Sequence, residues 1–102
     1  MQKTLVIIKP DAVQRRLIGK IINRFDEKGL EIIGLKMTVI SKELVKEHYS
    51  VHEGKDYYKK LVDFMTSGPV VIMVLRGKQA IKVTRKMMGS TFGHEAEPGT
   101  IR

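Results

Sequence analysis

Continuous apolar runs and helically spaced apolar positions alternate along this chain. The runs from Thr4 to Ile8 and from Val70 to Leu75 contain no charged residue. Such runs predict strands that are buried on both faces, because a strand with one face in water alternates apolar and polar residues. Residues 30–40 are rich in Ile, Leu, Val and Thr and predict a further strand, with Gly34 as a candidate bulge. Three strands are therefore expected.

Four other segments repeat apolar residues every three or four positions, which predicts amphipathic helices. The first helix is expected to stop at Gly29, and the second to begin after Ser41, whose hydroxyl can cap it. The last helix is expected over Lys78 to Met88, with its lysines in water. The positions expected to face the core are, in chain order, Leu17, Ile18, Ile21, Ile22 and Phe25; Leu44, Val45, His48 and Tyr49; Tyr58, Leu61, Val62 and Met65; and Ala80, Ile81, Thr84, Met87 and Met88.

The order of the elements is strand, helix, strand, two helices, strand and helix, which predicts an α+β sandwich. No linker, repeat or low-complexity stretch interrupts residues 1–102, so a single domain is expected. A sandwich of this type needs another strand after its last helix, and no periodic segment follows Gly89. The final strand is therefore expected to be absent and the domain to be incomplete at its C-terminus.

The charge balance and the cysteine count narrow the functional classes. Lysine and arginine number 19 against 11 aspartate and glutamate, a net charge of +8 that favours phosphate-bearing partners. Charge alone does not choose among nucleotides, nucleic acid and anionic lipid. The absence of cysteine excludes disulfides, thiolate metal sites and a cysteine nucleophile, and is compatible with a reducing compartment. No apolar run approaches the roughly 20 residues of a membrane span, so a soluble cytoplasmic protein is expected.

Lys9 stands at the end of the first predicted strand, before a rigid corner. Pro10 has no amide hydrogen to donate to a sheet, so the strand is expected to end at Lys9. Asp11 is able to cap the next helix. A cation on such a scaffold could hold an anion in a fixed place. Taken alone, however, the segment is more typical of an ordinary surface lysine.

Six short segments bear on the identity of the chain, and together they cover essentially its whole length. They are Ile8 to Arg15, Ile21 to Gly29, Lys46 to Tyr49, Thr66 to Val71, Arg85 to Gly89 and Pro98 to Arg102. In this order and spacing the segments resemble the nucleoside diphosphate kinase family. Each segment alone is a weak signal, but six in register are a strong one.

The resemblance implies a fold, a reaction and an assembly. The implied fold is a ferredoxin-like βαββαβ sandwich with an antiparallel sheet, assembled as hexamers or tetramers built from dimers. The implied reaction moves the terminal phosphate of a nucleoside triphosphate such as ATP onto a histidine and then onto a nucleoside diphosphate, with Mg²⁺ bound to the phosphates. The sequence has no G-x-x-x-x-G-K-[ST] motif, so side chains must hold the phosphates. The family resemblance implies nucleotides rather than nucleic acid as partners, and it implies no membrane.

The resemblance also assigns roles to individual residues. Lys9 and Tyr49 correspond to the pair that hydrogen-bonds near the transferred phosphate and the nucleophile. Arg85, Thr91 and Arg102 correspond to phosphate and sugar contacts, for which a guanidinium is suited because it can donate to two oxygens at once. Tyr57 stands where the family has an aromatic residue, usually Phe, that stacks on the base. Stacking is indifferent to base identity, so such a site can serve all nucleotides.

These residues also have plainer interpretations. Tyr49 could be a tyrosine at the edge of the core, Tyr57 could be ordinary packing, and Arg85 could belong to a solvated helix face. His48 and His52 have the spacing of metal ligands on a helix, but no third ligand accompanies them and His48 is expected to pack inward. His94 does not match the family's catalytic position and is interpreted as a surface residue.

The family's nucleophilic histidine lies downstream of the segment that ends at Arg102. It is therefore expected beyond Arg102, and residues 1–102 alone are expected to be inactive, because positioning cannot replace a nucleophile. If the protein ends at Arg102, it would instead be a nucleotide-binding remnant of the family. A ferredoxin-like RNA-binding domain is a third interpretation, but it needs aromatic residues on its central strands, and Val70 to Leu75 has none.

Overall fold

The computed structural model describes residues 1–89 and 98–101. Within them the strands are Gln2–Ile8 (β1), Glu31–Thr38 (β2) and Val70–Gly77 (β3). They form a three-stranded antiparallel sheet in the order β1-β3-β2. The predicted antiparallel α+β architecture is confirmed, and β3 is the central strand. Between Ile32 and Gly34 the β2–β3 register shifts by one residue, which confirms the bulge.

Five α-helices connect and follow the strands in the described residues. They are Pro10–Gln14 (α1), Ile18–Glu27 (α2), Lys42–His48 (α3), Tyr58–Met65 (α4) and Ala80–Met88 (α5), with a 3₁₀ turn at Ser50–His52 between α3 and α4. None of the helices in these residues combines the length and apolarity of a membrane span. The pattern of apolar residues did not predict α1, because five residues are too few to show a helical period.

The start of α1 differs from the expectation for Asp11. Lys9 occupies the N-cap position of α1, and its side chain makes no capping hydrogen bond. Pro10 and Asp11 already lie inside the helix. Pro10 is favoured at the first helical position because its fixed φ suits the helix and its missing N–H would have had no partner there. The prediction that Asp11 caps the helix is therefore wrong by two positions.

Two apolar clusters lie on opposite faces of the sheet, and β3 contributes to both. Alternate residues of β3 point to opposite faces, so Val71, Met73 and Leu75 enter one cluster while Val70 enters the other. The first cluster also contains Phe25 of α2 and Ala80 of α5, and the second contains Val45 of α3 and Val62 and Met65 of α4. This arrangement explains why the sequence of β3 is apolar throughout.

Some residues expected in the core are exposed. Leu5 and Leu44 are each 55% exposed, and they line an open apolar cleft together with His48. His48 is itself exposed, so the prediction that it packs inward is wrong. Ile81 is 40% exposed, because Ala80 and Thr84 take the buried stripe of α5. The prediction that β1 is buried on both faces is therefore wrong, because the strand is well covered on one face only, at Val6 and Ile8.

Candidate functional site

Lys9 lies where the sequence predicted, at the junction of β1 and α1. Its backbone is extended, with φ −73° and ψ 164°, and its carbonyl accepts a hydrogen bond from the amide of Val13 at 3.2 Å. The neighbours Ile8 and Pro10 are buried, whereas Lys9 itself is exposed. The side chain therefore extends into solvent from a backbone that buried residues hold on both sides.

The last described segment of the chain lies beside Lys9. The amide of Ile101 donates to the carbonyl of Met87 at 2.9 Å, and Ile101 packs against the first apolar cluster. A cleft of about 340 Å³ is lined by Lys9 and Arg15 as well as by Met88 and Ile101. Folding thus brings Lys9 and Ile101 to one cleft, although 92 positions separate them in sequence.

Arg24 holds this segment from the other side, a role that the sequence did not indicate. A terminal guanidinium nitrogen of Arg24, on α2, donates to the carbonyl of Gly99. Gly99 has φ +87°, a conformation that favours glycine. In the sequence Arg24 is one more cation on an exposed helix face, and 75 positions separate it from its partner. No local pattern could have identified it.

Tyr49 follows α3 and is half-buried against the second apolar cluster. It lines an apolar cleft of about 220 Å³ together with Ile7 of β1 and Ile72 of β3. Desolvation by burial raises the pKa of the Tyr49 phenol above its ordinary value of 10.0. The phenol, which any tyrosine keeps protonated at neutral pH, therefore retains its proton to higher pH than a solvent-exposed tyrosine does.

Tyr57 and Tyr58 are adjacent but lie in different environments. Tyr58 is half-buried and packs against the second cluster, whereas Tyr57 is 49% exposed. The hydroxyl of Tyr57 lies 2.7 Å from Nδ1 of His52, within hydrogen-bond distance. The plain packing interpretation therefore describes Tyr58, and Tyr57 offers an accessible aromatic ring.

The remaining candidates are only partly described. Arg85 lies on the exposed side of α5, as the solvated-face interpretation expects. Its neighbours Lys82 and Lys86 line a separate basic cleft of about 690 Å³ with Arg24 and Lys28. Thr91, His94 and Arg102 lie outside the described residues.

Most candidate site residues that the structure describes fall into two groups, one around Lys9 and Ile101 and one around Tyr49 and Tyr57. Within residues 1–89 and 98–101 no hydrogen bond or ion pair joins Lys9 to Tyr49. In the same residues no group of three or more His, Asp and Glu side chains could hold a metal ion. His52 faces Tyr57 rather than a metal ligand.

Comparison with known proteins identifies the family. The family model described as nucleoside diphosphate kinase matches residues 2–102. The chain is 54% identical over 102 residues to the nucleoside diphosphate kinase of Thermoplasma volcanium, covering 100% of this chain and 69% of the relative. It is 52% identical over 101 residues to the enzyme of Methanocaldococcus jannaschii, covering 99% of this chain and 72% of the relative.

A solved structure agrees with these matches. The nucleoside diphosphate kinase of Halobacterium salinarum, determined in complex with CDP, superimposes with a TM-score of 0.96 at 48% identity, covering 98% of this chain and 66% of that chain. The chain thus spans about two thirds of the length of these proteins. It belongs to the nucleoside diphosphate kinase family, a family of phosphotransferases. The predictions of family, fold and kinase function are confirmed.

Proposed function

We propose that this protein transfers the terminal phosphate of ATP to nucleoside diphosphates through a phosphohistidine, with the nucleophilic histidine in sequence that follows Arg102. The observation that carries the proposal is the family match over residues 2–102. The alternative of an inactive nucleotide-binding remnant has no comparable support, since the relatives named above are kinases.

In this proposal the protein contributes positioning and electrostatics rather than covalent chemistry. Lys9 and Tyr49 donate near the transferred phosphate, and Arg85, Thr91 and Arg102 contact the phosphates and the sugar. Two observations support these roles: Lys9 extends from a rigid junction, and Tyr49 lines a cleft with Ile7, on the strand that ends just before Lys9. The position of Ile101 in the same cleft as Lys9 supports a role for the residue that follows it.

Magnesium enters this proposal with the substrate. Among the described residues no carboxylate and histidine cluster fits a metal ion, so the oxygens of the nucleotide's phosphates would supply ligands for Mg²⁺. When bound there, Mg²⁺ would neutralise part of the phosphate charge. The protein's own cations would neutralise the rest.

Broad acceptance of bases is the specificity that the site favours. The H. salinarum enzyme was determined with CDP, a pyrimidine nucleotide. Tyr57 presents an exposed ring, and base stacking on an aromatic ring tolerates any base. We therefore expect di- and triphosphates of purines and pyrimidines to bind similarly.

The proposal extends to assembly and location. Strand β2 leaves Leu35, Met37 and the following Val39 at 56–61% exposure, and a row of exposed apolar residues on an edge strand favours contact with another chain. This surface supports a homo-oligomer, a hexamer or a tetramer built from dimers. A cytoplasmic location fits the absence of cysteine and the proposed nucleotide substrates.

Calorimetric titration with ATP tests the phosphate site. We expect Lys9→Ala to weaken ATP binding at least tenfold, about 1.4 kcal/mol, because Lys9 lies in the proposed site. Lys78→Ala removes the same charge from an exposed position outside α5 and should bind like the parent protein. Added salt should weaken binding, since charge attraction is screened. Equal losses from both lysines would refute a localised site.

Labelling with γ-phosphate-labelled ATP tests the nucleophile. A polypeptide of residues 1–102 should acquire no acid-labile phosphohistidine, because the proposed nucleophile follows Arg102. The histidines within residues 1–102 are His48, His52 and His94, and none of them is proposed to attack the phosphate. A protein that extends beyond Arg102 should be labelled in the added sequence. Label on His94 would refute the proposed position of the nucleophile.

A further inference from the structure

A series of four rings runs along the surface from the end of α3 to the start of α4. His48 meets Tyr49 edge-on with ring centroids 4.7 Å apart, and Tyr49 lies 6.1 Å from His52. His52 lies 5.4 Å from Tyr57, and Nδ1 of His52 is 2.7 Å from the hydroxyl of Tyr57. His52 thus stands between the tyrosine proposed to act near the phosphate and the tyrosine proposed to stack on the base.

The backbone around His52 is held by short turns. The amide of His52 donates to the carbonyl of Tyr49 at 2.9 Å, and the amide of Lys55 donates to the carbonyl of His52 at 3.0 Å. The amide of Tyr58 then donates to the carbonyl of Lys55 at 3.1 Å, and Gly54 adopts φ +87° between them. These backbone hydrogen bonds fix the chain around His52 and just after Tyr57. The side-chain hydrogen bond between His52 and Tyr57 therefore joins two residues whose backbone is anchored.

We propose that His52 is a positioning residue for the nucleotide base, because its bond to Tyr57 holds the stacking ring in place before the nucleotide arrives. This inference rests on the proposed function. Tyr57 is 49% exposed, so its ring has few packing contacts to hold it. A ring that must be ordered on binding lowers affinity, and a ring that is already ordered does not.

The hydroxyl of Tyr57 makes the hydrogen bond to His52 possible. A Phe at this position could stack on a base but could not bond to His52. If His52 is neutral with its proton on Nε2, the phenol donates to Nδ1; if the proton is on Nδ1, Nδ1–H donates to the phenol oxygen. The link exists in either tautomer, so the positioning does not depend on which ring nitrogen carries the proton.

Calorimetry with two ligands tests the role of His52. ATP carries a base and inorganic triphosphate does not, so a loss of stacking should weaken only ATP binding. We expect Tyr57→Phe and His52→Leu each to weaken ATP binding about threefold to tenfold, the range for one surface side chain that must become ordered. Triphosphate binding should be unchanged in both variants. His52→Asn, which keeps a polar atom near the position of Nδ1, should restore part of the affinity.

The double variant and matched controls make the result decisive. Tyr57→Phe combined with His52→Leu should be no weaker than either single variant, because both remove the same bond. Tyr58→Phe removes a neighbouring phenol that packs against the core and should bind ATP like the parent protein. Thermal unfolding of each variant confirms that it is folded.

The outcomes separate this inference from the proposed function. If Tyr57→Ala weakens ATP binding but Tyr57→Phe and His52→Leu do not, the positioning role of His52 is overturned and the stacking role stands. Additive losses in the double variant, or equal losses for ATP and triphosphate, would also overturn it. If neither Tyr57→Ala nor Lys9→Ala changes ATP binding, the proposed function itself fails.

Discussion

Tyr49 combines a polar group with a half-buried, apolar setting. Its ring packs against the second cluster beside Ile7, and its neighbour His48 covers it only edge-on. Burial disfavours the phenolate, so the pKa of Tyr49 is raised above 10.0 in the folded protein. An isolated tyrosine in the sequence carries no sign of this shift, which depends on the clusters that surround it.

The raised pKa of Tyr49 predicts a loss of stability in alkali. In the unfolded chain the phenol ionises near its ordinary pKa of 10.0, whereas the folded protein retains the proton to higher pH. The contribution of Tyr49 to the free energy of unfolding is therefore fully present below pH 10.0 and declines as pH rises from there through the folded pKa. Tyr49→Phe should remove this decline, measured by urea unfolding across the alkaline range.

The matched control for this measurement is Tyr57→Phe, which removes an exposed phenol from the same surface. The alkaline decline attributed to Tyr49 should persist in that variant. A decline of the same size in Tyr49→Phe and in the parent protein would contradict the assignment.

Two helices of this protein, α3 and α5, begin in different ways. The hydroxyl of Ser41 accepts a hydrogen bond from the amide of Leu44 at 3.2 Å, so α3 has a local cap, as the sequence predicted. Helix α5 begins at Ala80, after Gln79 in a left-handed conformation, and its Ile81 amide donates at 3.2 Å to the side-chain carbonyl of Gln2 on β1. The start of α5 thus depends on a residue 79 positions away, and the predicted start at Lys78 was two residues early.

The local cap of α3 predicts a defined loss of stability. Ser41→Ala should lower the free energy of unfolding by about 1 kcal/mol, because the amide of Leu44 loses its partner. Ser41→Asp keeps an acceptor at the same position and adds a negative charge at the helix N-terminus, so it should be close to the parent. Urea unfolding monitored by circular dichroism measures both. A loss of similar size in Ser41→Asp would show that the cap bond is not the cause.

At the scale of the molecule, the sheet determines which surfaces other chains can meet. Strand β1 pairs with β3 on one side, and no strand in residues 1–89 and 98–101 pairs with its other side. Leu5 lies on this strand and is 55% exposed. Unpaired strand edges recruit other chains, and nearby apolar side chains strengthen that contact. The resemblance implies that the family's fourth strand pairs here.

A polypeptide of residues 1–102 should therefore associate irregularly as its concentration rises, measured by light scattering. Leu5→Lys places a charge on the free-edge strand and should reduce this association. Val51→Lys adds the same charge in the 3₁₀ turn, at a residue that is 80% exposed and away from the sheet, and should not. A stable, monodisperse monomer of the parent polypeptide would contradict the importance of the free edge.

Much of the fold and part of the candidate site follow from local pattern. The apolar run at Val70 to Leu75 identified the central strand, which apolar clusters cover on both faces. Pro10 located the end of β1 and hence the position of Lys9. The helical spacing identified α2 through α5 within a few residues. Each of these signals depends on residues within one element or at its ends.

The sequence by itself thus determined the order of the elements, their periodicity and the residue types available for chemistry. Only the tertiary structure decided that Arg24 holds Gly99, that Gln2 caps α5, and that His52 faces Tyr57 while His48 stays exposed. The physical reason is that periodicity records the direction of a side chain relative to its own helix or strand. What lies in that direction depends on how the elements pack, and residues far apart in the chain decide it.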